Sequence, residues 1–204
     1  INMGDPKKLR KKYETPIHPW IKKNIDEDKI LRRDYGLRNK RELLKISSFL
    51  KKYKNIAKRL TTDKSAQGEH EKKQVLGKLQ KLGLLPVGSE LDQILSLDIK
   101  HVLDRRLQSV LFQKHLARSM KQARQFITHR HVSIGDKEIT APSYLVTLEE
   151  EAILRFKTSS ELADENHPER AHEIKEIQKE KEMITNSTEE KPAEDTTNET
   201  TGTK

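Results

Sequence analysis

Within residues 104–148 the apolar pattern changes period, from the three-and-four spacing of helices to the alternation of strands. That change restricts the stretch to helices followed by a short sheet. Leu103, Leu107, Val110 and Leu111 form one stripe on a helix predicted to end near Gln113, with Arg105, Arg106 and Lys114 on its wet side. Ser119 and Gln122 have the spacing of a capping box, so a second helix is expected from Met120. Its inner face holds Met120, Ala123, Phe126 and Ile127, which leaves Lys121, Gln122, Arg124, Gln125 and Thr128 for solvent or a ligand. Val132 and Ile134 then alternate with polar neighbours, Gly135 and Asp136 supply a tight turn, 137–139 returns, and 144–148 reads as a further strand. The expected product is two helices packed on a small antiparallel sheet.

Charge gathers at the joints of this unit. The start of the second helix carries unpaired N–H groups and a partial positive charge, and Lys114, His115, Arg118 and Lys121 crowd round it. Phosphate is the natural guest of such a place.

Only 32% of the 204 residues are hydrophobic and 36% are charged, which argues for a binding scaffold over a deep-pocket enzyme. Residues 157–204 hold 7 Lys+Arg against 13 Asp+Glu, net −6, leaving 34 against 19 and net +15 for the residues before them. The larger part is a polycation and implies an anionic partner, nucleic acid or anionic membrane. No apolar run approaches the roughly 18 residues that span a bilayer, and the first residues lack a signal peptide's apolar core. Cysteine is absent, so disulfides and thiolate metal sites are excluded. Met3 is read as the native start, with Ile1 and Asn2 extraneous to it.

Residues 1–25 form a basic, proline-broken arm in which Pro16 and Pro19 bar a helix. Tyr13, His18 and Trp20 interleave there with Lys7, Lys8, Arg10, Lys11 and Lys12, a mix suited to stacking on bases while contacting phosphates. A short helix over 26–35 should stop at Gly36, with Arg32 and Arg33 outside. Asn39 and Glu42 repeat the capping pattern and open a long helix to about Leu60. Its stripe is Leu43, Ile46, Leu50, Tyr53, Ala57 and Leu60, and its other face is nearly all cationic: Lys40, Arg41, Lys45, Lys51, Lys52, Lys54, Lys58 and Arg59. With so little acidic relief, that face calls for phosphates to neutralise it. A helix over 69–82 should end at Gly83, a brief one should be capped by Ser89 with Asp92, and another should begin at Asp98. From about Asn186 onward the chain is polar low complexity and expected to be disordered.

The spacing His129-x-His131 could place two imidazoles on one side of a strand, but no third ligand lies nearby in sequence and no metal or other cofactor is expected. No glycine-rich phosphate loop, H-E-x-x-H or G-x-S-x-G occurs, and Glu149, Glu150 and Glu151 read as a solvated charge run, so no catalytic residue is proposed.

The run Arg118-Ser119-x-x-Gln122-Ala123-Arg124-Gln125-x-Ile127-x-His129-x-His131-Val132, with Gly135 and Pro142-Ser143-Tyr144, resembles the RNA-binding fold named after small-subunit ribosomal protein four. Leu103-Asp104-x-Arg106-Leu107 fits its opening helix, while Arg130 and Asp136 stand where many members have glycine. The lead-in GDPKKLRKKYETPIHPW and the helical stretch resemble the archaeal and eukaryotic type of that ribosomal family, over about residues 4–156. The resemblance implies an α+β protein: basic arm 1–25, helical subdomain 26–97, RNA-binding module 98–156 and acidic, largely disordered tail 157–204. It implies a cytoplasmic, monomeric constituent of the small subunit, without enzymatic activity, that binds ribosomal RNA and touches small-subunit protein five, away from any membrane. The expected RNA contacts are Arg105, Arg106, Lys114, Arg118, Ser119, Lys121, Gln122, Arg124, Gln125, His129, Arg130 and His131. Lys7, Lys8, Arg10, Lys11, Lys12, Arg32, Arg33, Lys40, Arg41 and Lys45 would hold a second part of the same RNA. An extra-ribosomal RNA chaperone or regulator, or an RNA-modifying enzyme carrying the module as an accessory, are the alternatives.

Overall fold

The computed structural model describes residues 11–63, 65–164 and 167–169, all within one compact unit. The expected disorder from Asn186 onward, and Lys7, Lys8 and Arg10, lie outside the described residues.

Beyond Pro16 and Pro19 the first helix, α1 (Lys22–Asp34), begins earlier than the sequence predicts, because nothing between Pro19 and Asp26 breaks a helix. It closes at Gly36, whose φ of +56° lets Leu37 N–H reach Arg32 C=O at 2.9 Å. α2 (Lys40–Thr62) buries Leu43, Ile46, Leu50, Tyr53, Ala57 and Leu60, the whole predicted stripe. α3 (Ala66–Lys81) starts at a cap that sequence reasoning missed, Ser65, whose Oγ accepts from Gly68 N–H at 3.0 Å. α4 (Leu91–Ser96) follows Glu90, not Ser89, because the Ser89 hydroxyl donates instead to Pro86 C=O.

The single helix expected to reach Gln113 is two: α5 (Ile99–Asp104) and α6 (Leu107–Gln113). Between them Arg106 is extended and bridges to Leu145. Leu107 N–H donates to Tyr144 C=O at 2.8 Å and Val146 N–H to Arg105 C=O at 3.0 Å. Those backbone groups are committed across the chain and cannot also close a helical turn. All four side chains of the predicted stripe are buried, but the break sends Leu103 to one apolar cluster and Leu107, Val110 and Leu111 to the other.

α7 (Met120–Thr128) leads into β1 (Val132–Ile134) and β2 (Lys137–Glu138) as expected, with Gly135 at φ +58° in the turn. The third strand is not 144–148. It is β3 (Leu154–Phe156), which follows α8 (Leu148–Ile153) and gives the antiparallel order β2-β1-β3. Thr147 and Glu150 form a capping box that starts α8: Thr147 Oγ1 accepts from Glu150 N–H at 3.2 Å, and Glu150 Oε2 accepts from Thr147 N–H at 2.9 Å.

Two apolar clusters result. One gathers α2, α3 and α4 with Val102 and Leu103 of α5, and the other gathers α6, α7 and the sheet with Leu162. Their junction is polar. Arg106, 1% exposed, gives Glu42 a hydrogen bond of 2.7 Å, and Arg124 gives the other Glu42 oxygen one of 2.6 Å. Gln108, equally buried, donates to Met120 C=O at 2.7 Å, and a Cβ on Gly36 would lie 3.0 Å from its amide. Glu42 was read as half of a capping box with Asn39; Asn39 makes no such bond, because the carboxylate is drawn inward by two guanidinia.

Burial pushes the Glu42 carboxyl up, but the bonds and charges of Arg124 and Arg106 together outweigh burial and hold it below the usual carboxylate value. A depressed folded-state value contributes stability that is present above the ordinary glutamate value of about 4.3 and lost as pH falls through the lower one. Glu42→Ala is expected to lose about 3 kcal/mol by leaving two half-buried or buried guanidinia unpaired. Denaturant unfolding of wild type and variant at pH 7 and in acid checks both, since the gap should narrow in acid.

Candidate nucleic-acid interface

α7 is set on its cap as predicted, with Ser119 Oγ accepting from Gln122 N–H at 3.2 Å. The glutamine's return bond lands one residue earlier than expected: its Oε1 accepts from Arg118 N–H at 2.8 Å. Lys121 projects from the first turn, exposed and without an ion pair among the described residues. The other donors of that end meet the chain beyond β3. Arg118 donates to Pro168 C=O and the Gln122 amide to Glu169 C=O at 2.9 Å. Gln125, His129 and Arg130 follow along the exposed face.

Four of the expected contacts are instead internal. Arg106 is buried on Glu42, so no phosphate reaches it. Arg124 holds Glu42 and reaches Gln108 Oε1 at 3.4 Å. Arg105, with its side chain 14% exposed, grips Glu151 at 2.7 Å and Val146 C=O at 3.1 Å. Lys114 donates to Glu151 C=O. Spacing put these residues on a wet face; α8 turned Arg105 and Lys114 in, and Glu42 of α2 did the same for Arg106 and Arg124.

The cations of α2 divide differently. Glu42 is its sole acidic residue and faces the interior, so it offers nothing to the outer row. Arg41, Lys45, Lys52 and Lys58 are exposed and lie outside every ion pair among the described residues. Lys40 pairs with Asp28 at 2.6 Å, Lys51 with Glu14 at 2.5 Å and Arg59 with Glu71 at 2.7 Å. The Lys51 and Arg59 pairs are largely exposed, contribute little and release their cations readily, whereas Lys40 and Asp28 are half-buried. Arg32 donates to Arg38 C=O at 3.2 Å, while Arg33 and Asp34 are both largely exposed. In the arm, Lys11 and Lys12 are exposed and Trp20 is 87% exposed; Glu14 N–H donates to Ser48 Oγ of α2 at 2.9 Å, which fixes the arm's root there.

His129 and His131 do not share one face of a strand. Arg130 between them takes the left-handed conformation, φ +64°, as the residue after α7's cap, and His131 N–H closes on Phe126 C=O at 3.0 Å. Among the described residues no group of three histidines or carboxylates could hold a metal.

A family model described as the S4 domain matches residues 105–152. The small ribosomal subunit protein uS4 of Methanococcus aeolicus is 45% identical over 177 residues, covering 86% of this chain and 100% of that protein. The uS4 protein of Methanococcus maripaludis strain C5 is 44% identical over 176 residues, covering 85% and 98%.

A left-handed arginine costs about 1 kcal/mol that glycine avoids. Arg130→Gly is therefore expected to raise the thermal midpoint by about 2–4 °C, read by calorimetry. A lowered midpoint would mean that the guanidinium's own contacts outweigh the strain.

Proposed function

Since the chain belongs to the uS4 family of small ribosomal subunit proteins, we propose that it is a non-enzymatic structural constituent of that subunit which grips ribosomal RNA at two places on one body. The observation that carries this is the row of exposed, acid-free cations along α2, held in the same compact unit as the Lys121 turn of α7. An RNA segment on each would be juxtaposed, and the polar junction at Glu42 resists their separation.

In this reading residues 1–25 are the arm, 26–97 the helical subdomain, 98–156 the RNA-binding module and 157–204 the acidic tail. Lys121, Arg118, Ser119, Gln122, Gln125, His129, Arg130 and His131 meet one RNA segment. Arg41, Lys45, Arg32, Arg33, Lys40 and the arm meet another. Early, direct binding to a multi-helix junction in the 5′ domain of the RNA would nucleate assembly of the subunit body. A contact with small-subunit protein five would tie the protein to translational accuracy. Recognition rests mainly on RNA shape, because A-form duplex hides its base edges in a deep, narrow groove.

Two measurements test this. In a sucrose gradient the native protein should sediment with the small subunit; material confined to the top fractions would favour an extra-ribosomal chaperone. Lys121→Ala should weaken binding to the junction transcript by roughly 1 kcal/mol and reduce the salt slope by about one unit. An unchanged slope removes Lys121 from the interface.

A further inference from the structure

We infer that a cleft at the C-terminal end of α7 is a receptor for a single unpaired nucleotide of the RNA, with the base held against His129 and its phosphate outside at Arg130. The inference rests on the RNA-binding reading above and differs from it in class: the ligand is a splayed base, where the rest of the surface meets backbone.

The cleft has a volume of about 570 Å³, inside the roughly 300–1,000 Å³ of small-ligand sites. The lining is mostly polar and includes the carboxylates of Glu161 and Glu169, over an apolar floor of Phe126 and Leu162, both almost wholly buried. Its wall is imidazole. The His131 ring is fixed on one side by Ser160 Oγ, 2.8 Å from its Nδ1, and on another by an edge contact with Phe126 at 6.3 Å and 84°. The exposed His129 ring lies nearly parallel to it, at 18° with centroids 6.2 Å apart, so its flat face is presented in a defined orientation. Gln125 supplies an amide for the edge of a base, while the Ser160 hydroxyl is taken up by His131 and by Leu162 N–H. A flat heteroaromatic face over a small apolar floor, with polar groups round it, matches an unstacked nucleobase.

Two features argue against a bare anion as the principal guest. The α7 C-terminus carries the negative end of the helix dipole, which repels phosphate. Lys157 in the lining is paired with Glu138 at 2.5 Å. Arg130 is the exposed cation of the rim, and its left-handed backbone is the kind of local strain that persists where a side chain must be aimed. Lys157, Ser160 and Leu162 lie beyond residue 152, where the S4-domain match ends, so this receptor is not given by the module alone.

The full-length protein, isotope-labelled, is titrated with 5′-AMP, ribose 5-phosphate and inorganic phosphate while the His129 and His131 ring resonances are followed. The expected result is that 5′-AMP moves both, with the upfield sense of a stacked base, and the two sugar or phosphate probes do not. Equal response to all three makes the cleft an anion site and overturns the inference, as does no response to any. In a second arm, an RNA hairpin with one unpaired adenosine should bind about tenfold tighter than its fully paired counterpart, a preference that His129→Ala abolishes. RNA binding with no such preference sinks the receptor and leaves the RNA reading intact. Failure of both hairpins to bind sinks the RNA reading, while the 5′-AMP shifts still decide the cleft.

Discussion

One carboxylate organises this protein. Glu42, near the start of α2, is shared between Arg106 at the head of α6 and Arg124 of α7, both far from it in sequence. With a third of its residues apolar, the chain builds two modest clusters and not one large core. Such clusters pack against each other weakly unless something directional fixes their angle. A carboxylate held by both oxygens between two planar guanidinia does so, because that geometry accepts little rotation. Gln108 and Gly36 complete the seam: the amide occupies the space a side chain at 36 would fill, and it bonds to the backbone of α7. Tyr35 adds a bond of 2.8 Å to Asp104, and burial together with that carboxylate pushes its phenol well up from its ordinary value.

Turning Glu42 inward also sets the charge of the outside. A helix with that many cations would ordinarily be relieved by acids one turn away, and here its sole acid is occupied elsewhere. The interior fastening and the exposed polycation are thus two consequences of one rotamer. What binds the outer face replaces the missing counter-charge, so folding and RNA binding draw on the same electrostatics at opposite ends of a helix cross-section.

The elements carried by strong periodicity were legible in the sequence. The α2 stripe is buried residue for residue, α7 begins where Ser119 announced it, and Gly36 and Gly83 take the left-handed turn after their helices. The break between α5 and α6 was hidden because backbone groups there are captured by a distant segment. Periodicity continues unbroken through Leu103 and Leu107, so nothing local reveals that Arg106 pairs with Leu145. A capping signal at Thr147 and Glu150 was present and could have moved the third strand past α8. In the candidate site, exposure was predicted from helical phase alone. That holds for Lys121, Gln125 and the outer row of α2. It fails for Arg105, Arg106, Lys114 and Arg124, because arginine at a seam is more valuable as a planar clamp than as a surface cation.

The ends of α6 and α7 sharpen that distinction. Both helices close with the same pair of backbone bonds, and both place a residue other than glycine in the left-handed position, His115 at φ +56° and Arg130 at φ +64°. Glycine would serve the fold better at each, as Gly36 and Gly83 do in the helical part. Strain is therefore confined, among the described residues, to the module with the RNA-binding resemblance, and at both places the side chain gained is exposed and able to carry charge. The two arginines of the seam, Arg106 and Arg124, keep ordinary backbone conformations, whereas the exposed Arg130 does not. At Arg130, backbone strain marks a cation held outward after the helix has ended, a feature that helical phase does not carry.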